Sequence, residues 1–133
     1  FWQEVRDVVP FQAGDQPLWR ISVTASEGAA VLRDITNARP GMAFYDWGGG
    51  LIWYRVDDPA GDGVDDGGTT AVRAALRQHG GGHATLVRAS DEVRALVEVF
   101  QPQAAGLAAL SARVKDSFDP RHILNPGRMY RGV

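Results

Sequence analysis

The chain has 133 residues, 44% hydrophobic and 23% charged, with a formal net charge of −2; that is enough apolar material for one core, which argues against wholesale disorder, and the balance offers no basic face for nucleic acid. The absence of cysteine excludes disulfides, iron–sulfur clusters and thiolate zinc sites within the chain. No apolar run approaches the ~20 residues that span a bilayer, and no signal-peptide pattern opens the sequence.

Phe1 to Val9 carries apolar residues at helical spacing, and its start without an initiator Met suggests a piece of a longer polypeptide. Phe11 to Pro17 reads as a loop. Leu18 to Thr24 alternates, with Trp19, Ile21 and Val23 on one side and Arg20 and Ser22 on the other, as a half-buried strand does. Thr24-Ala-Ser-Glu27 fits a capping box before a helix that carries Val31, Leu32 and Ile35, and Ser26 is a competing cap. Asn37 and Pro40 close that helix.

Met42 to Trp47 and Leu51 to Val56 are strand-like and aromatic, with Gly48-Gly49-Gly50 as the hairpin turn between them. Asp57 to Gly68 is an Asp/Gly-rich stretch that lacks the spacing of a calcium loop and reads as a solvated, mobile loop. Val72, Ala75, Leu76 and His79 mark one face of a helix that Gly80-Gly81-Gly82 stops, and His83 to Arg88 is a further strand. Ser90 caps a short helical stretch to about Val99, and Pro102 breaks it. A longer helix from about Gln103 to Ser117 has Leu107, Leu110, Val114 and Phe118 in register, and Asp119-Pro120 ends it before an irregular tail.

The order β-α-β-β-α-β predicts an α+β, ferredoxin-like sandwich: a four-stranded antiparallel sheet with two helices on one face, followed by a C-terminal helix and tail. The chain divides at 1–17, 18–100 and 101–133. The second face of the sheet is left for a ligand, a partner or another domain.

Several residues are candidates for chemistry. Pro120 and Pro126 brace the tail, Gly127 permits close backbone approach, and Asn125 offers an amide donor and acceptor. Asn-Pro-Gly is also a common turn, and on residue chemistry alone that reading stays open. His79 and His83 are four apart, but no third ligand lies near them in sequence, so no metal site is expected; a packed His79 is the plainer reading. The glycines at 80–82 follow a helix, the reverse of a phosphate cradle. Tyr45, Trp47, Trp53 and Tyr54 sit on adjacent strands, where those on the open face could line a pocket. Arg20 and Arg88 are the first choices for a carboxylate partner, because a guanidinium pairs bidentately with that group.

The tail Phe118-Asp119-Pro120 with Ile123-Leu124-Asn125-Pro126-Gly127-Arg128 resembles the C-terminal signature of FAD-linked oxidases of the vanillyl-alcohol oxidase type. Trp2-Gln3, Leu18 to Val23, Asp46-Trp47-Gly48-Gly49 and Gly81 to Arg88 are similar to the FAD-binding E subunit of bacterial glycolate oxidases. The resemblance implies a cap domain whose tail returns to a flavin. Asn125, Gly127 and Arg128 would then contact FAD, and Arg20, Arg88 and His83 a small 2-hydroxy acid. Residues 1–17 would connect to an N-terminal FAD-binding domain that holds most of the cofactor.

The implied activity is FAD-dependent oxidation of a 2-hydroxy acid such as glycolate, carried by the full-length protein and not by the fragment. The implied partners are that FAD-binding domain and the other glycolate oxidase subunits; the implied location is cytoplasmic, with any membrane association made through those subunits. The sequence shows no convincing general base, which favours a supporting role for this segment. The alternative is a non-enzymatic ferredoxin-like module for ligand binding or assembly; an RNA-binding version lacks the paired aromatics of the third-strand signature.

Overall fold

The computed structural model describes residues 1–57 and 65–130. The elements run α1 (Trp2–Arg6), a 3-10 turn at Val9–Phe11, β1 (Leu18–Ser22), α2 (Gly28–Ala38), β2 (Gly41–Asp46), a 3-10 turn at Trp47–Gly49, β3 (Leu51–Val56), α3 (Thr69–Gln78), β4 (His83–Arg88), α4 (Asp91–Leu96) and α5 (Ala105–Phe118). They group into two compact units, Phe1–Val97 and Glu98–Val133. Among the described residues no helix is long and apolar enough to cross a membrane.

The first unit holds a four-stranded sheet in the order β2-β3-β1-β4, with every neighbouring pair antiparallel. That is the expected ferredoxin-like order. The alternation in β1 decides the layering: Trp19 and Ile21 are fully buried, together with Ile52 and Tyr54 of β3 and Ala84 and Leu86 of β4. Val31 and Ile35 of α2 and Val72, Ala75 and Leu76 of α3 supply the helical side of this core. Each of these faces repeats at the period of its element, 2 in the strands and 3.6 in the helices.

The polar side-chain groups of Trp19, Arg73 and Tyr54 are each hydrogen-bonded to main-chain carbonyls. Trp19 Nε1 donates to the carbonyl of Gly67 at 2.7 Å, and buried Arg73 lies over the Trp19 ring while its Nη1 donates to the carbonyl of Ala84 at 3.0 Å. Tyr54 donates its hydroxyl to the carbonyl of Arg39 at 2.7 Å, and burial pushes its phenol up to about 12. The helix stop after α3 is a Schellman-type closure: Gly80 has φ +81° and the Gly81 amide reaches the carbonyl of Leu76 at 2.7 Å.

Several local expectations change. The first helix ends at Arg6, with Asp7 as its C-cap and Val8 turned to φ +54°, a left-handed conformation that interrupts the helical path. The capping box does not form; α2 has no side-chain cap, and the Glu27 carboxylate faces His79 instead. α4 ends at Leu96, with Val97 extended, so Pro102 plays no part in stopping it. Of the Asp/Gly-rich stretch, residues 58–64 lie outside the described residues. Its last two acids are structural rather than merely solvated. Asp65 Oδ1 accepts from Arg39 Nη2 and the Gly67 amide, and Asp66 accepts from the amides of Gly68 and Thr70. Burial pushes the Asp66 carboxyl up, but the hydrogen bonds from Thr70 and Gly68 outweigh it and hold the group below its ordinary value.

The second unit is α5 and the tail that folds back along it. α5 buries none of its residues, and Leu107, Leu110, Val114 and Phe118 are all exposed. Asp119 organises the return. Its Oδ1 accepts from the Ile123 amide at 3.0 Å, and its Oδ2 from the Leu124 amide at 2.9 Å and Lys115 Nζ at 3.1 Å. Lys115 also donates to the carbonyl of Leu124 at 2.8 Å.

Candidate functional site

In the second unit, the tail residues expected to touch a cofactor form a turn. Arg128 donates its amide to the carbonyl of Asn125 at 3.2 Å, with Pro126 and Gly127 (φ +68°) at the central positions, the arrangement of a type II turn. Asn125 itself has φ +46°, a left-handed conformation that Asn tolerates better than most residues. Both readings of Asn-Pro-Gly are therefore compatible: it is a turn, and it carries two exposed polar side chains. A groove of about 710 Å³ runs between α5 and this turn, lined by Leu110, Val114, Leu124, Asn125, Arg128 and Tyr130 among others. Asn125 and Arg128 are thus brought to one groove, while Gly127 serves the turn that joins them. The Arg128 guanidinium has no hydrogen bond or ion pair among the described residues.

The Asp119 cluster sets the position of that turn. Its carboxyl is held below the usual range, first by the Leu124 amide and then by the Ile123 amide and Lys115. In the sequence, Asp119 stands before Pro120 and one helical turn after Lys115, the i,i+4 spacing that lets the two side chains pair.

In the first unit, the sheet face away from α2 and α3 is arranged in rows set by register. One row is Asp46, Leu51, Ser22 and His83; the next is Phe44, Trp53, Arg20 and Thr85. Arg20 and His83 therefore lie diagonally across adjacent strands on one face. His83 is exposed, and Arg20 is half-buried with its Cζ 5.3 Å from the centre of the Trp47 ring. Arg20 makes no hydrogen bond or ion pair among the described residues. The two other strand arginines are engaged. Arg55 pairs with Asp57 and lies over Phe11, and Arg88 clamps the N-terminal segment by donating to the carbonyls of Phe11 (2.7 Å), Gln12 (3.4 Å) and Gln16 (3.1 Å). Phe11 is buried and stacks on Phe44, covering that end of the face. Only Nη2 of Arg88 is left without a partner among the described residues. The Arg88 clamp was invisible in the sequence because its acceptors are main-chain atoms more than seventy positions away.

His79 lies away from that face, between α3 and α2. Its Nε2 is 2.8 Å from Asp34 Oδ2 and its Nδ1 is 3.3 Å from Glu27 Oε2. The bond to Asp34 raises the imidazole above its ordinary value, aided by Glu27 against the opposing effect of burial, and the same bond lowers Asp34. The two carboxylates meet opposite ring nitrogens, so they do not converge on one point. Among the described residues no group of three or more His, Asp or Glu side chains is arranged to hold a metal ion.

The fold and the two sites define an α+β, ferredoxin-like protein with an open, arginine-bearing sheet face and a braced polar tail. In comparison with known proteins, the chain is 32% identical over 131 residues to the glycolate oxidase subunit GlcE of Escherichia coli (strain K12). The match covers 98% of this chain and 31% of that protein, so the chain spans about a third of its relative's length. No protein-family model matches the chain, and no solved structure does.

Proposed function

We propose that this chain is the cap portion of an FAD-containing subunit of a 2-hydroxy-acid oxidase that acts on glycolate or a close analogue. One observation carries the reading: the similarity to a glycolate oxidase subunit runs along nearly the whole chain. The tail geometry supports it. A free guanidinium at 128 and an amide at 125, beside apolar Leu110, Val114 and Leu124, suit a ligand with a planar apolar body and an anionic or polar edge, as FAD has. When bound, the flavin supplies hydride acceptance.

This chain's own residues bind and orient. Asn125 and Arg128 contact the cofactor from the tail turn, and Gly127 lets that turn approach closely. Arg20 takes the substrate carboxylate, with His83 beside it on the same face. Arg88 acts at one remove, by fixing the segment that carries Phe11. The partners are an FAD-binding domain of the same polypeptide and the other subunits of the oxidase; membrane contact is made through those subunits, and the location is the cytoplasm. The 133-residue chain alone does not turn over.

The test is the longer polypeptide that contains these residues. Purified, it is expected to be yellow, and anaerobic addition of glycolate is expected to bleach the flavin. A colourless protein, or a flavin that no 2-hydroxy acid reduces, overturns the reading in favour of a ligand-binding or assembly module.

A further inference from the structure

We propose that Trp47 is a positioning residue for a small-carboxylate site on the open sheet face, holding the Arg20 guanidinium so that its free edge meets the ligand. The assignment of that ligand as a 2-hydroxy acid rests on the function proposed above; the site itself does not.

Core burial does not explain how Trp47 is placed. Its side chain is 63% exposed and its backbone has φ +52°, a left-handed conformation that is costly for a bulky residue. The surrounding loop holds it there. Asp46 Oδ1 accepts from the Trp47 amide at 2.7 Å, the Gly50 amide donates to the Trp47 carbonyl at 3.2 Å, and the Val23 amide donates to the Gly50 carbonyl at 2.9 Å. The result is an indole set against the guanidinium of Arg20, the one strand arginine of the three without a hydrogen bond or ion pair among the described residues. A ring face attracts the cation but satisfies none of its N–H donors. Those donors remain for an acceptor.

The neighbours define what acceptor fits. Register places Trp53 and Thr85 on either side of Arg20, with Ser22 and His83 in the adjacent row. The only carboxylate in these two rows is Asp46, and one of its oxygens is already engaged by the Trp47 amide. Two indoles, two hydroxyls and an imidazole near one guanidinium without a partner among the described residues suit a short carboxylate with a hydroxyl next to it.

The test titrates glycolate into the isotope-labelled 133-residue chain and reads the Arg20 Nε–H signal by NMR, with neutral glycolamide as the control. Glycolate is expected to shift the signal saturably and glycolamide is not; in Arg20→Ala, followed at the indole N–H of the cross-strand neighbour Trp53, glycolate is expected to cause no saturable shift. Trp47→Ala is expected to weaken glycolate binding roughly two- to fivefold, in line with an exposed cation–π contact, and Trp47→Phe to recover most of the loss. In the full-length oxidase the same factor is expected in KM for the 2-hydroxy acid, with kcat unchanged. Unchanged glycolate affinity in Trp47→Ala, or equal binding of glycolamide, overturns the proposal. If the longer polypeptide proves colourless, only the oxidase reading falls, and the titration still decides this one.

Discussion

Gly28 is the first residue of α2, it is buried, and a Cβ added there would run into the carbonyl oxygen of Gly49 at the tip of the β2–β3 hairpin. Replacing Gly by Ala inside a helix normally stabilises by up to about 1 kcal/mol. Here the opposite sign is expected. The clash is with backbone, which cannot rotate away, so the helix start and the hairpin must part at an overpacking cost of ~1–3 kcal/mol. The Val23–Gly50 hydrogen bond beside it is strained by the same movement. The net expectation for Gly28→Ala is a loss of about 1–2 kcal/mol. Urea unfolding followed by circular dichroism reads it as a lower midpoint at unchanged slope. Gly106→Ala in α5 is the internal contrast, because nothing lies within 4 Å of the added Cβ; it is expected to leave helicity unchanged or raise it. A Gly28→Ala chain as stable as the wild type, or more so, would refute the close approach of α2 and the hairpin. Since that hairpin carries Trp47, the variant is also expected to bind glycolate more weakly.

Trp19→Phe leaves the buried carbonyl of Gly67 without its donor, so it is expected to cost about 2–4 kcal/mol by the same unfolding assay, of which ~1–3 is the unpaired acceptor. His79 is expected to titrate above its ordinary value of 6.5 by NMR, because only the imidazolium donates to both Asp34 and Glu27. The stability this contributes is complete below pH 6.5 and is lost as pH rises through the higher folded pKa; a His79→Gln chain is expected to show none of that loss. Asp119 runs the other way: its contribution is present above the ordinary carboxylate value and disappears as pH falls through its lowered folded pKa. Asp119→Asn is expected to speed amide exchange at Ile123 and Leu124, which hydrogen-exchange NMR resolves residue by residue.

What was legible in the sequence was what periodicity encodes. Trp19 and Ile21 alternate with Arg20 and Ser22, and the structure buries the first pair and leaves the second on the open face. Val72, Ala75 and Leu76 repeat at helical spacing and enter the core together. The glycines at 80–82 stop α3, and the element order leads to the observed sheet.

What escaped depends on partners distant in sequence. Glu27 looked like a capping carboxylate because its box spacing was right, but His79, 52 positions away, offers it a charge-assisted bond. Arg73 sits in a polar-looking helix position, yet it is buried over Trp19 because α3 crosses the sheet there. At the sites, the grouping of Asn125 with Arg128 is a local turn and could be read; the separation of Arg20 from the engaged Arg55 and Arg88 could not. Nothing in their residue types says which guanidinium will find main-chain carbonyls or an aspartate.

The most direct test of the flavin assignment is the flavin-to-protein ratio of the longer polypeptide after deletion of residues 121–133, compared with Asn125→Ala and with the intact form. A cap whose tail reaches a flavin predicts that the deletion strips most of the FAD and that Asn125→Ala loosens it. Full flavin content and unchanged glycolate oxidation in the truncated protein would contradict it.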